Sequence, residues 1–518
     1  MLTFEWIIVL LMAAAVLAEL ARRVGVPYPT LLALGGVGLA FLPNTPQWTL
    51  DPELALALFV APALLDAAYD TSLRELRANW RPVAGLVVAA VGTTVLAVAA
   101  VCHWLVPAMP WPVAIALGAI VAPPDAAGAT AVMRQVGLPH RVLNILEGES
   151  LLNDASALLV YRLALMALAT GPLGLGDVLP VLGLTMFGSL AAGVALGWVL
   201  RPLLAYPGHV PTSLALQFAT TFGVWMAAER LGLSGILTMV ACAMTLARGG
   251  GHRLPAQMRV PILSAWETVV FLLNALSFVL IGLQLRPIWA RFAGSEQRLQ
   301  ALGLAAAVLL AVIVSRFVWV MGHGAWTRRC NTGLTGSTGS TRVVVSWSGM
   351  RGIVTLAAAF ALPETLPGGQ AFPFRDLVVL CAFAVVLGTL VIQGLRLRPL
   401  IRTLHVGEQD PVARDVRKGR VHVYQALLEA VASEDSPAAA RLRDHYRHAI
   451  AAHLDPALEP PTDRGPNTEV HARAMAAARE AAVFLRNSSH ISEAAYRQLI
   501  QELDWAEMAA HSATVRHP

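Results

Sequence analysis

Lysine is nearly missing from this chain. Among its 518 residues Lys418 is the only one, so arginine carries almost all the positive charge. Charge of either sign is scarce at 14%, against about 25% in ordinary soluble domains. The four cysteines (Cys102, Cys242, Cys330 and Cys381) are scattered, mostly in apolar stretches, with no CxxC pair and no histidine partner. That pattern argues against a disulfide framework or a thiolate metal site and leaves them as small core residues. There is no His-Glu-x-x-His, no Gly-x-Ser-x-Gly and no phosphate loop, so an intramembrane enzyme has no motif behind it and no cofactor is expected. The formal charge of +5 makes no case for nucleic acid, because arginines beside membrane spans follow from topology.

What the chain does have is apolar length. Hydrophobic residues make up 56% of it and mean hydropathy is +0.61, which together describe an all-α polytopic membrane protein in a lipid bilayer. Apolar runs fall near 3–20, 28–43, 52–68, 82–106, 111–133, 145–169 and 177–204. Others follow near 212–228, 232–247, 265–285, 299–322, 342–362 and 374–396, so about 13 transmembrane helices are predicted. The first run has no basic n-region and is followed by Arg22 and Arg23, as in a retained helix whose N-terminus is outside. Arginines then cluster in alternate loops (Arg74, Arg77 and Arg81; Arg134 and Arg141; Arg201; Arg248, Arg253 and Arg259; Arg328, Arg329 and Arg342), which places those loops and the C-terminus inside. The stretch 286–298, with Arg286, Arg291 and Arg298, dissents.

After Arg402 the composition turns polar. Residues 1–402 read as the membrane domain and 403–518 as a helical cytoplasmic tail, with segments near 412–434, 437–454, 469–486 and 491–511. Tyr424, Leu427, Leu428 and Val431 recur at helical spacing and give one of these segments an apolar face. A regulatory role and a plain assembly role fit the tail equally well.

Chemistry concentrates between Leu117 and Arg162. One apolar run breaks at Pro123-Pro124, directly before Asp125, and the next holds Glu147, Glu149, Ser150, Asn153 and Asp154. A charge at mid-membrane costs at least about 2.5 kcal/mol, so each needs a partner or a task. The prolines free carbonyls in the preceding turn, and Gly128 lets another helix cross closely. Ser150 and Asp154, four apart, share a helix face, and Asn153 beside them can hydrogen-bond an unwound neighbour. Oxygens from Asp125, Asp154, Ser150 and the backbone at Pro124 suit a hard monovalent cation. Far along the chain, Gly349-Met350-Arg351-Gly352 interrupts another span with a cation at its centre. Arg351 needs a carboxylate, and Glu149 is the expected partner. If the spans form two inverted repeats, both breaks fall at corresponding positions, the pattern of a transporter site. Asp66, Glu267, Asn274, Arg162 and Arg316 are read as structural, the two arginines without evident partners.

Glu147-Gly-Glu-Ser-Leu-Leu-Asn-Asp154, with Asp125 before it and Gly349-Met-Arg351-Gly352 after it, resembles the monovalent cation/proton antiporter family, the bacterial sodium/proton exchanger type. The likeness covers about residues 5–400, and the tail motif HISEAAYRQLIQELDWAE is also similar to bacterial members. It implies a homodimer in the inner (plasma) membrane, with two inverted repeats, two broken crossing helices, and a mobile core beside a dimerisation domain. Residue by residue it implies that Asp125, Ser150 and Asp154 bind the cation or proton. Asn153 would stabilise the crossing, and Glu149 and Arg351 would pair. The family often has Thr-Asp-Pro at the first break, where this chain has Pro124-Asp125-Ala126. Exchange of a monovalent cation for protons is the implied activity, in the service of pH homeostasis. Sodium is the first choice and potassium the second. An Asn-Asp pair in place of two aspartates implies one-for-one, electroneutral exchange. A cation channel is the rival from another class.

Overall fold

The computed structural model describes residues 2–42, 51–71, 73–125, 140–205, 208–248, 255–292, 294–329, 339–366, 369–404, 411–454, 469–488 and 490–515. The close crossing expected at Gly128, the inner-loop Arg134 and Arg253 and the core position of Cys330 lie outside them. Among the described residues the regular structure is all helix, with one isolated bridge between Thr365 and Ala371. The chain divides into two compact units. One comprises Met1–Leu204, Ala215–Gly249 and Thr268–Gly407, and the other Ala205–Leu214, Gly250–Glu267 and Glu408–Pro518.

The membrane character follows from helix length. Among the described residues, six helical stretches are long and apolar enough to cross a bilayer: Trp80–Leu105, Val142–Thr170, Leu175–Leu204, Ala256–Ala290, Ser295–His323 and Arg375–Thr403. Tyr28–Ala40, Trp111–Val121 and Gly235–Ala247 are apolar but shorter. The helices the site depends on are α1 (Tyr28–Ala40), α2 (Val91–Leu105), α3 (Trp111–Val121), α4 (His140–Thr170) and α5 (Ala256–Leu283). After them come α6 (Ser295–Arg329), α7 (Gly339–Trp347), α8 (Ile353–Phe360) and α9 (Arg375–Thr389). From Ala116 to Val121 every residue of α3 is buried, as a helix apolar on all sides must be. Its last turn therefore ends inside protein.

Two of these helices touch backbone to backbone. A Cβ at Gly36 in α1 would overlap the carbonyl of Val279 in α5, and one at Gly282 would overlap the carbonyl of Ala33. Tyr28 then packs on Phe271 and Phe278, with ring centroids 5.7 and 6.3 Å apart. After α9 the helix widens into a π-turn at Leu390–Gly394. Thr30 Oγ1 donates to the Leu390 carbonyl at 2.7 Å and Trp347 Nε1 to that of Gln393 at 3.1 Å, so the widened turn is bonded from two neighbours.

Two of the three arginines of the dissenting loop, Arg291 and Arg298, are held locally. Arg291 pairs with Asp376 at 2.7 Å, while Arg298 donates to the Phe292 carbonyl at 3.0 Å and lies 5.3 Å from the Trp289 ring. Arg162 is likewise paired, with Glu229 at 3.1 Å.

In the second unit, α10 (Pro411–Ala430), α11 (Pro437–Leu454), α12 (Glu469–Asn487) and α13 (Glu493–Val515) share one apolar core. Leu427 and Val431 lie inside it, with Tyr424 and Leu428 packed against it, so the periodic apolar face of α10 is covered by the tail itself. The first part of α5, as far as Glu267, belongs to this unit. Its Arg259 donates through Nε to Asp504 of α13 at 2.6 Å, and Arg479 of α12 donates to the same carboxylate at 3.0 Å.

The contact between α1 and α5 gives a direct test. Gly36→Ala forces a methyl group into a backbone carbonyl and should cost about 1–3 kcal/mol, read as a lower melting temperature of the purified protein. Gly38→Ala, where an added Cβ meets nothing within 4 Å, should leave the melting temperature equal or higher.

Candidate functional site

The site is made where two helices end inside the protein. α3 stops at Val121, and Ala122, Pro123 and Pro124 lead out to Asp125. α7 stops at Trp347, and α8 restarts at Ile353 after the Ser348–Gly352 break. The breaks are bonded to each other, the Asp125 amide donating to the Met350 carbonyl at 2.7 Å. The half-buried Asp125 side chain lies flat on Gly352, where a Cβ would overlap its Oδ2. Only glycine leaves that room.

Arg351 is almost wholly buried, and its bonds run to the broken ends. Nε donates to the Val121 carbonyl and Nη2 to that of Ala122, each at 2.9 Å, while Nη1 donates to the Gly349 carbonyl. Its backbone amide donates to Thr389 Oγ1 at 3.1 Å. A helix C-terminus carries unpaired carbonyls and the negative end of the dipole, and Arg351 answers both. The turn before the prolines was expected to offer carbonyls to a cation. Two of them are instead taken by this fixed guanidinium.

The expected pairing of Glu149 with Arg351 is corrected by the structure. Glu149 accepts a fork from Arg316 of α6, Nη1 to Oε1 at 2.5 Å and Nη2 to Oε2 at 2.9 Å. Both side chains are buried, 1% and 3% exposed, and Arg316 Nε also donates to the Val345 carbonyl at 3.3 Å. The reason is geometric. Two parallel bonds fit a guanidinium to a carboxylate, whereas the bonds of Arg351 are spent on carbonyls. Arg316, read as structural with no evident partner in the sequence, thus fastens α4 to α6 and α7. Its signal in the sequence was a lone arginine inside an apolar run.

On α4, Asp154 is buried and half-buried Ser150 precedes it by one turn. Asn153 is fully buried, and its Nδ2 donates to the Pro124 carbonyl at 3.1 Å, joining α4 to the first break beside Asp125. Its Oδ1 is buried without a hydrogen-bond partner among the described residues. Ser156, which sequence reasoning passed over, donates to the backbone carbonyls of Asn153 and Val87, both at 2.8 Å, and steadies this turn. Thr389 was also missed, because nothing near it in sequence points to Arg351. Of the other acids and amides read as structural, Glu267 is exposed and Asn274 half-buried. Chemically the crossing offers oxygen donors and two carboxylates, Asp125 and Asp154, arranged around polar backbone. That suits a small hard cation or a proton.

Residues 7–403 match the family model described as sodium/hydrogen exchanger, transmembrane. A sodium, potassium, lithium and rubidium/H+ antiporter of Bacillus pumilus is 32% identical over 416 residues, or 78% of this chain. The chain spans 61% of that relative's length. An uncharacterised Na+/H+ exchanger of Mycobacterium bovis is 30% identical over 521 residues, covering 97% of this chain and 95% of the relative. A solved sodium proton antiporter from Methanocaldococcus jannaschii superposes with a TM-score of 0.62 at 18% identity. It covers 79% of this chain and 99% of its own, and so shares the fold.

Removing one partner of a buried ion pair leaves the other charge stranded, at a cost of about 3–5 kcal/mol. Glu149→Ala and Arg316→Ala should each lower thermal stability by that order, and the double variant by less than their sum. Combining Glu149→Ala with Arg351→Ala should show a smaller coupling in the same melting experiment.

Proposed function

The chain belongs to the transmembrane sodium/hydrogen exchanger family, and from that premise we propose that it exchanges cytoplasmic sodium for external protons, one for one. The observation that carries this reading is the crossing itself, where Asn153 joins the Asp154 helix to the break beside Asp125. Asp154 holds either a proton or a cation, with Asp125, Ser150 and the Pro124 backbone assisting, and competition for one site couples the two ions. No covalent bond is made or broken, so no cofactor is called on.

Charge counting supports electroneutral exchange. Glu149 and Arg316 cancel as a pair, and in this reading the fixed charge of Arg351 is counted against that of Asp125. Asp154 is then the one carboxylate left to alternate between proton and cation, while Asn153 beside it adds no titrating group. Potassium is the alternative cargo, favoured by the wider ion set in the name of the Bacillus pumilus relative. The architecture that goes with this reading has about thirteen spans in two inverted repeats, with the α3 and α7–α8 breaks in matching positions. The protein works as a homodimer in the plasma membrane, its N-terminus outside and residues 403–518 in the cytoplasm, where exchange contributes to pH homeostasis.

Two measurements on proteoliposomes test this. Asp154→Asn keeps the volume and removes the titrating charge, so exchange should drop to the empty-vesicle background while the melting profile stays cooperative. Wild-type-like exchange would reject Asp154 as the carrier. With the potential clamped by potassium and valinomycin, sodium-driven proton movement should not respond to voltage, whose work of about 2.3 kcal/mol per charge per 100 mV would act on zero net charge. A voltage-dependent end-point would mean unequal charges move, and sodium current without obligatory proton movement would favour the channel.

A further inference from the structure

One face of α4 carries Leu151, Ala155 and Leu158 at three- and four-residue spacing, and Arg162 follows in the same stripe. The three apolar residues share a cluster with Val224 and Trp225 of helix Val210–Arg230 and with Ile236 of helix Gly235–Arg248. Hydrophobic contact is non-directional, so one such surface can shift along another with no single bond to break. Arg162 ends the stripe differently. Its Nη2 donates to Glu229 Oε2 at 3.1 Å.

Two features make this pair releasable. Both side chains are partly open, at 36% and 44% exposure, and the bond to Glu229 is the one hydrogen bond Arg162 makes among the described residues. Glu229, for its part, does not depend on Arg162. Its Oε1 accepts the Gly235 amide at 3.1 Å, which keeps the carboxylate at the start of helix Gly235–Arg248, where the positive end of the dipole favours it. Opening the pair therefore strands neither charge in apolar surroundings. The buried fork of Glu149 and Arg316 is the opposite case, closed to solvent and costly to part.

Asp154 stands two turns before Arg162 on the same helix, about 12 Å by helix rise. A single site that serves both sides of a membrane must be exposed to each in turn, so the helix that carries Asp154 must shift against its neighbours. We propose that the Arg162–Glu229 pair is a latch on that shift. Closed, it holds α4 to helix Val210–Arg230, and it opens each time Asp154 changes the side it faces. The inference rests on the antiporter reading and adds to it a positioning pair that touches neither ion.

Substitution opens the latch without disturbing its fixed half. Arg162→Gln removes the charge and leaves the bond between Glu229 and Gly235 in place, whereas Arg162→Lys keeps a cation. Access is read from the rate at which a hydrophilic maleimide labels Leu158→Cys, one turn behind the latch, in purified full-length protein. Wild type gives the background from the native cysteines. Adding Arg162→Gln should raise labelling about two- to fivefold, the factor set by an exposed ion pair, with a melting temperature close to that of Leu158→Cys alone. Arg162→Lys should label near the parent rate. In proteoliposomes, joining Arg162→Cys to Glu229→Cys with a short, cleavable thiol crosslinker should stop exchange, and cleaving it should restore exchange. Equal labelling in all three backgrounds, or undiminished exchange by crosslinked protein, would overturn the latch. Labelling needs no transport, so a wild type that fails to exchange, beside a labelling rise in Arg162→Gln, would strike the antiporter reading alone.

Discussion

A helix that stops inside a bilayer leaves carbonyl groups that lipid cannot bond, and everything at this crossing depends on how they are met. Arg351 meets them. By donating to Val121, Ala122 and Gly349 it binds the end of α3 to the break between α7 and α8, so neither broken end is left bare. The remaining features follow from that use of the guanidinium. Glu149 must find its counter-charge elsewhere, and takes it from Arg316 in α6. Asp125, held by the Met350 carbonyl, lies against Gly352 because any side chain there would displace it. The carboxylates that remain are those not committed to holding the fold.

Some of this was legible in the sequence for plain physical reasons. Pro123-Pro124 removes two amide donors, and Gly349 and Gly352 weaken a helix around a charge, so both breaks were visible. The acids of α4 stood out against an apolar background, and the spacing of Leu427 and Val431 gave the buried face of α10. Partner choice was not legible. Glu149 and Arg316 are 167 positions apart, and only the crossing geometry brings them together. An arginine stranded between two glycines drew the expectation to Arg351 instead. The fate of the freed carbonyls was hidden for the same reason, since a sequence shows which groups lose a bond but not which side chain arrives to replace it. The π-turn at Leu390–Gly394 has no local signature either, and it is recognised by the donors, Thr30 and Trp347, that reach it.

The dissenting arginines between 286 and 298 teach a related point. Charge counting along a loop treats each arginine as a topology signal, yet Arg291 has an aspartate partner and Arg298 caps a carbonyl over a tryptophan. Arginines committed to local structure say little about which side of the membrane they occupy. The same caution separates Arg351 and Arg316, which lie within apolar stretches because they are fully bonded there, from a charge that must do work to justify its place.

If fixed charges cancel and one carboxylate carries the cargo, cation binding must expel a proton. The most direct measurement is proton release on adding sodium to the purified protein in weakly buffered detergent solution, followed with a pH indicator alongside bound sodium. The account predicts close to one proton released for each sodium bound, with release abolished in Asp154→Asn. Sodium binding without proton release, or release that survives loss of the Asp154 carboxylate, would contradict it.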